Sequence, residues 1–274
     1  MAHNEAADAE RAISARIDTS VPSIARTYDY IIGGKDNFAA DRAIGDQIIT
    51  NLPGAPAIAI DNRATLVRAV RELVTTQRMK QFVDLGSGLP TAENVHQVAQ
   101  RHQPEAKVVY VDNDPIVLAH GRALLEENKF TTVLHADLRN GQEIYDNPAT
   151  RALIDFDQPV AVIFSAILHH LNDDEDPASL VKFWVDRIPS GSYVFISHFR
   201  SLNDPASAEI ESVLQASFGR GRWRTDDEIR ALFDGLELLE PGIVPAAEWR
   251  PAEPLDDELT NWQRLIVAGL AVKP

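Results

Sequence analysis

The sequence predicts an α/β fold: a mostly parallel sheet with helices on both faces. Short apolar runs rich in Val, Ile, Phe or Tyr recur at 81–85, 107–112, 131–136, 159–165 and 192–198. Helical patterns separate most of them, and near-continuous apolar strands alternating with helices indicate a sheet covered on both faces. Helix-start signals fall between the runs. Asp114 and Asp176 each stand before a proline, a good N-cap followed by the residue best suited to the first helical position. The chain has 274 residues, enough for one large domain or two small ones and for a sizeable core.

Residues 1–15 are rich in alanine and charge and read as a helix or a frayed start. Residues 16–56 hold Pro22, Gly33, Gly34, Pro53, Gly54 and Pro56 with three aromatics, and read as an irregular, aromatic-bearing segment. From Ile58 to Lys80 the pattern is helical, with Ile58, Leu66, Val70 and Leu73 near one face. After Pro177, Leu180, Val181, Trp184 and Ile188 recur at helical spacing. Thr225 and Glu228 form a capping box ahead of Ile229, Leu232 and Phe233, with Gly235 as the stop. Two last strands are expected near 236–240 and 264–272, and the proline-bearing acidic tract 241–258 reads as an ordered loop or surface arm. The division is therefore an N-terminal extension, 1–57, and a main domain, 58–274.

Composition narrows the function. The formal net charge is −15, which argues against a protein that grips nucleic acid or an anionic membrane, because both need a basic face. Cysteine is absent, which excludes disulfides, thiolate metal sites and a cysteine nucleophile. No apolar run approaches the ~20 residues needed to span a bilayer. The first residues mix acids and bases with no apolar stretch, unlike a secretory signal, so a cytoplasmic protein is expected.

Chemistry concentrates at the ends of the predicted strands. DLGSGLPT, residues 84–91, follows the first strand. Gly86 and Gly88 permit a tight turn and close approach of a ligand, and a branched side chain at Gly86 is expected to block that approach. Thr91 stands where a dinucleotide fingerprint needs its third glycine, and no Gly-Lys-Ser/Thr run marks a phosphate loop. Asp112 ends the second strand, where an acceptor-only carboxylate can take both hydroxyls of a ribose. Asp114 already serves as the cap, which leaves Asp112 free for a ligand. Asp137 ends the third strand and can accept from an exocyclic amine. Small residues 165 and 166 end the fourth and leave room for a ligand. These strand ends converge on one crevice, where open α/β sheets bind ligands.

With these motifs the chain resembles the class I S-adenosylmethionine-dependent methyltransferases. More narrowly, it resembles the bacterial S-adenosyl methyltransferase family formerly listed as a domain of unknown function. The resemblance runs from IDTSVPS at residue 17 to WRP at 249–251. Its most specific stretches are ARTYDYIIGGKDNFAAD (25–41) and FVDLGSGLPT (82–91), with VYVDNDP (109–115) and GSYVFISH (191–198) in support. It implies a Rossmann-like, seven-stranded, mostly parallel sheet with an antiparallel last strand, and S-adenosyl-L-methionine as cofactor. It also implies that Asp84, Gly86, Ser87 and Gly88 line the methionine portion, and that Asp112 and Asn113 hold the ribose and the adjoining adenine edge. Asp137 and Leu138 would meet the adenine, and Ser165 would form the floor near the sulfonium.

The cofactor's carboxylate needs a cation, and Arg26, Lys35 and Arg63 are the candidates, lying upstream of the first strand. Tyr28, Tyr30 and Phe38 are candidates to cap the adenine or the substrate, so residues 16–56 are expected to act as a lid. Methyl transfer needs a general base only when the acceptor is protonated, and His169 and His170, just past the fourth strand, are the candidates. No Asn-Pro-Pro-Tyr run of amino-methylases occupies that position, and no metal-ligand spacing is present. The expected activity is methylation of a small molecule. A cofactor-binding regulatory protein without turnover is the alternative, and titration with S-adenosylmethionine against NAD separates both from an oxidoreductase.

Overall fold

Five strands form the parallel part of the sheet: β1 (Gln81–Leu85), β2 (Lys107–Asp112), β3 (Thr131–His135), β4 (Ala161–Ser165) and β5 (Tyr193–Phe199). The computed structural model describes residues 18–91, 93–124, 128–202, 205–255 and 257–274; the helix expected over 1–15 lies outside them. The short C-terminal strands are β6 (Glu237–Leu238), β7 (Val244–Pro245) and β8 (Ile266–Val272). The sheet order is β3-β2-β1-β4-β5-β8-β6, with β7 also paired to β8. β8 runs antiparallel to β5, as expected for the last strand. The eight strands exceed the expected seven by β7, which lies inside the proline-bearing tract.

Strand side chains alternate between two apolar layers, the period of two that a pleated strand imposes. Phe82, Val108, Ile163 and Phe195 face one layer, packed with Leu66, Val70 and Leu73 of α3 (Ala55–Thr75). Val83, Val109, Val162 and Val194 face the other, packed with Leu180, Val181 and Trp184 of α8 (Pro177–Arg187). Between these lie α4 (Val95–His102), α5 (Pro115–Leu124), α6 (Gly141–Asp146) and α7 (Pro148–Leu153). The chain moves outward from β1 through β2 to β3, then returns to β4 on the other side of β1. That reversal opens a crevice at the C-terminal ends of β1 and β4.

The reading of residues 16–56 as irregular is corrected. They form α1 (Ile24–Ile31) and α2 (Ala39–Asn51). Ser23 caps α1 by accepting from the Arg26 N–H, and Gly33, at φ +81°, follows its end. Pro53 and Gly54 separate α2 from α3, which begins at Ala55 rather than Ile58. The prolines and glycines mark helix ends, not the absence of helices. The tract 241–258 is only in part a surface arm: its described residues from 252 to 258 are exposed, but its middle is built into the core. Ala246, Ala247 and Trp249 are buried, Thr65 Oγ1 donates to the Ala246 carbonyl at 2.6 Å, and Arg68 Nε donates to the Trp249 carbonyl at 2.9 Å. The capping signals at Asp176 and Thr225 hold, the latter starting α10 (Asp226–Ala231). The helix α9 (Pro205–Phe218) was not anticipated. No described helix is long and apolar enough to cross a membrane.

Candidate functional site

A cavity of about 490 Å³ fills the crevice at the ends of β1 to β4, within the usual size range of ligand pockets. The turn after β1 is built by Gly86 and Gly88, at φ +74° and +66°, conformations that only glycine adopts without strain. The Gly86 N–H donates to the Val111 carbonyl at 2.8 Å, which ties the turn to β2. A Cβ on Gly86 would lie 2.4 Å from Ile167, so a side chain there would also press on this neighbour. A Cβ on Gly88 would meet nothing within 4 Å. The next helix, α4, begins only at Val95, capped by Asn94 and Gln97, so no helix N-terminus presses on this loop.

Asp84 and Asp112 place two buried carboxylates in the cavity wall. Burial pushes Asp84 up to about 7, opposed by the nearby Arg63 charge and reinforced by Asp112. Among the described residues, no group donates a hydrogen bond to the Asp84 carboxylate. Burial also raises Asp112, to about 6, against hydrogen bonds from Asp114 and Gly88. Asp112 is not free of structural work. It accepts the Gly88 N–H and the Asp114 N–H, each at 2.9 Å, and so braces the glycine loop. Asp114 caps α5 by accepting the Ile116 N–H at 2.8 Å, as expected.

Further groups give the cavity its polarity. Ser87 Oγ and Arg63 Nε are buried without hydrogen-bond partners. Arg63 donates through Nη2 to the Glu93 carbonyl at 2.9 Å and to Asn94 Oδ1 at 3.2 Å. Asn113, Asp137, Leu138 and Ser165 all line the cavity. Asp137 is engaged from the side by Arg139, whose Nε lies 2.9 and 3.0 Å from its two oxygens, and this hydrogen bonding holds its carboxyl below the usual range. Arg139 and Arg220 both pair with Glu175 at the rim.

Of the segment expected as a lid, only part reaches the cavity. Arg26 and Tyr28 line it; Tyr30, Lys35 and Phe38 do not. Arg26 is buried, with Nε 3.0 Å from Asp41, Nη2 on the Val21 carbonyl, and its guanidinium 5.6 Å from the Phe38 ring centre. Its charge is met by Asp41 within the segment and by Asp114, 4.0 Å away beside α5. Lys35 is exposed, and Tyr30 Oη donates to Asp46 at 2.6 Å on the outer side. Phe38 packs with Leu89, Ile116 and Val117 beneath the segment.

His170 lines the large cavity, and His169 lies behind it. His169 is buried, and its Nδ1 accepts the Phe199 N–H at 3.3 Å. Burial, helped by Arg220, lowers His170 to about 4, and burial drives His169 well below the usual histidine range, so both rings are neutral. Asn62 of α3 ties this end together. Its Oδ1 accepts from Ser197 Oγ at 2.6 Å, and its Nδ2 lies 3.4 Å from both Ser165 Oγ and Tyr28 Oη. Ser197 Oγ also accepts the Ala166 N–H at 2.9 Å, which holds Ala166 at φ +51°. Such a strained non-glycine residue persists only where its surroundings enforce it. Among the described residues, no three carboxylate or histidine side chains gather as a metal site.

The sequence from residue 10 to 274 matches the family model described as S-adenosyl methyltransferase. The chain belongs to this S-adenosyl methyltransferase family. A solved structure of a candidate methyltransferase from Thermobifida fusca is 44% identical, with 93% of this chain and 96% of that one covered and a TM-score of 0.90. A DUF574 family protein from Streptomyces avermitilis is 37% identical over 94% of this chain and 100% of that one, also at 0.90. An O-methyltransferase family protein from Burkholderia thailandensis, 12% identical over 80% of this chain and 60% of that one at a TM-score of 0.52, shares the fold alone. No curated protein sequence matches the chain.

In this S-adenosyl methyltransferase, sequence reasoning missed Asn62, Ile167, Phe218 and Arg220. Asn62 breaks an apolar stripe of α3, a polar residue at a core position, and that was its signal. Phe218 continues the four-residue spacing of Ile210 and Leu214 on α9. Arg220 carried no local signal, because only the tertiary fold brings it to the rim.

Proposed function

We propose that this S-adenosylmethionine-dependent methyltransferase binds its cofactor in the large cavity and methylates a small molecule. One observation carries the reading. A buried carboxylate without donors, Asp84, lies near a buried guanidinium nitrogen without a partner, Arg63 Nε, with the unpartnered Ser87 Oγ in the same cavity. A buried anion and a buried cation that both need partners suit the ammonium and carboxylate of an amino acid. These residues fit the methionine end of the cofactor. Asp112 and Asn113 suit the ribose, because the Asp112 carboxylate keeps acceptor capacity beyond the backbone N–H groups it binds. Leu138 and Asp137 are placed for the adenine edge, and Gly88 leaves open space for the approach.

When bound, S-adenosylmethionine supplies an electrophilic methyl group on sulfur. The chain's task is to hold the acceptor close and in line, and to take a proton where the acceptor carries one. Ser165, Ala166 and Asn62 fix the cavity floor. Neutral His170, on the cavity wall, is the residue placed to receive a proton; His169 supports its position from behind. The extension 1–57 is the covering unit, since its residues 21–26 and Tyr28 wall the cavity. The net charge of −15 supports an acceptor other than nucleic acid, and the lack of cysteine supports a cytoplasmic setting.

Calorimetric titration tests the reading. S-adenosylmethionine is expected to bind and NAD is not. Asp84→Asn should weaken the former about tenfold or more. Equal affinity of the folded variant would remove Asp84 from the site.

A further inference from the structure

A second cavity, of about 90 Å³, adjoins the first and shares seven lining residues with it, among them Tyr28, Asn62, Ala166, His170, Phe218 and Arg220. Its remaining wall is apolar and aromatic. Ile58 closes one side, Leu214 and the shared Phe218 of α9 close another, and the Phe199 ring, stacked on Trp223 at 4.8 Å and 6°, forms the back. The charged groups beside it are engaged elsewhere. Arg220 pairs with Glu175 and donates to the His170 carbonyl at 3.0 Å, and Glu211 accepts the Trp223 N–H at 2.8 Å.

We propose that this apolar chamber receives the methyl acceptor, and that the acceptor is a neutral molecule with a single aromatic ring, its nucleophilic atom held at the Ala166–His170 threshold. The inference rests on the large cavity holding the cofactor. The placement follows from polarity: the ring faces apolar walls, and the reacting atom faces the shared polar residues between the two cavities. Size sets the limit. An apolar cavity of about 150 Å³ takes benzene, so a chamber of about 90 Å³ excludes a fused pair, and a single ring enters only by extending into the shared threshold. Charge sets the class. His169 and His170 line the chamber, burial pushes both rings toward their neutral forms, and an ammonium would meet the same desolvation cost. A carboxylate would meet no unengaged cation there.

The test uses the full chain saturated with S-adenosylhomocysteine. 4-Methylphenol, benzylammonium and benzoate are titrated and followed by calorimetry and by saturation-transfer NMR. The phenol should bind at least about tenfold more tightly than either charged probe. Leu214→Trp, which fills only the smaller chamber, should lower phenol affinity about tenfold or more and leave S-adenosylmethionine affinity within about twofold. If that variant does not melt cooperatively, Leu214→Phe is read the same way. Undiminished phenol binding in the filled variant, or charged probes that bind as well as the phenol, overturns the inference. So does a wild-type chain that binds S-adenosylmethionine but no phenol. A chain that binds no S-adenosylmethionine overturns the cofactor reading itself.

Discussion

At the strand-end side of the large cavity, Ser87 Oγ and, reaching in from α3, Arg63 Nε stay buried and unpaired beside the buried Asp84 carboxylate. On the facing side, Arg26 lines the cavity and pairs with Asp41 and, at 4.0 Å, with Asp114, while Asp29 and Asp41 behind it are engaged within the N-terminal segment. Asp41 accepts from Arg26 Nε, from the Ser23 N–H at 2.9 Å and from the Phe38 N–H at 2.8 Å; Asp29 accepts from Asp36 and Asn37, each at 2.9 Å. Both sides are rich in charge, yet on the N-terminal side the buried charged groups have partners, and the buried side-chain atom left without one among the described residues is the Thr27 hydroxyl. Buried groups that lack partners lower stability until a ligand supplies them, whereas satisfied groups hold a shape. On the proposed cofactor reading, the contrast gives recognition to the strand ends and support to the N-terminal helices.

The largest expected effect lies on the supporting wall. Asp41→Ala leaves Arg26 buried without its nearest carboxylate partner and frees two backbone donors, and should cost about 3–5 kcal/mol of stability. Thermal melting should show this loss, while the fraction that stays folded binds S-adenosylmethionine within a few-fold of normal. A variant with normal melting and lost binding would reverse the roles of the two walls.

Asp84→Asn should act in the opposite sense on stability. The folded-state value of about 7 lies above that of an unfolded carboxyl. Its ionised form is therefore disfavoured in the folded protein; the penalty grows as pH rises from about 4 and is complete above about 7. Removing the charge should stabilise the free protein at pH 8 by roughly 1–3 kcal/mol, and by little at pH 4. The same change should weaken cofactor binding. In the wild type, an ammonium partner favours the carboxylate, so binding near pH 6 should release protons and binding at pH 8.5 should not. Titrations in buffers of different ionisation heat would measure that release. Its absence would mean that Asp84 meets no cation.

Much of the strand-end wall was legible in the sequence, and little of the facing one. Asp84, the glycine pair and Asp112 sit at fixed offsets from apolar strands, and a parallel sheet brings all strand ends to one edge. The role of Asp112 was only half legible: its backbone bonds to Gly88 and Asp114 depend on the loop's fold. In residues 16–56, prolines and glycines at helix ends looked like a continuous lack of structure. The partners that use up Arg26, namely Asp41, Asp114 and the Val21 carbonyl, are set by how α1 packs on α2 and beside α5. Local pattern does not carry such pairings, nor the burial of Trp249 behind α3.

Asp112→Ala should weaken S-adenosylmethionine binding by about 1–3 kcal/mol, the loss typical of charge-assisted hydrogen bonds. Because it also releases two backbone N–H groups, melting temperature should fall as well. An affinity loss without any fall in melting would leave Asp112 a pure ligand contact. A fall in melting with unchanged affinity would place it with the supporting groups.

The smallest effect is the sharpest test of the division. Lys35 is exposed between α1 and α2 and does not line the cavity, whereas Arg63 presents an unpartnered nitrogen to it. If the N-terminal helices are a fixed wall, Lys35→Ala should change stability by less than about 0.5 kcal/mol, as surface substitutions usually do. Cofactor affinity should likewise stay within about twofold. Arg63→Ala, measured in parallel, should cost about tenfold, since the carboxylate would lose its cation. If Lys35→Ala instead weakens binding as much as Arg63→Ala does, the segment must swing onto the bound cofactor. The N-terminal wall would then be a closing lid, and its satisfied charges the latch of one of its two positions.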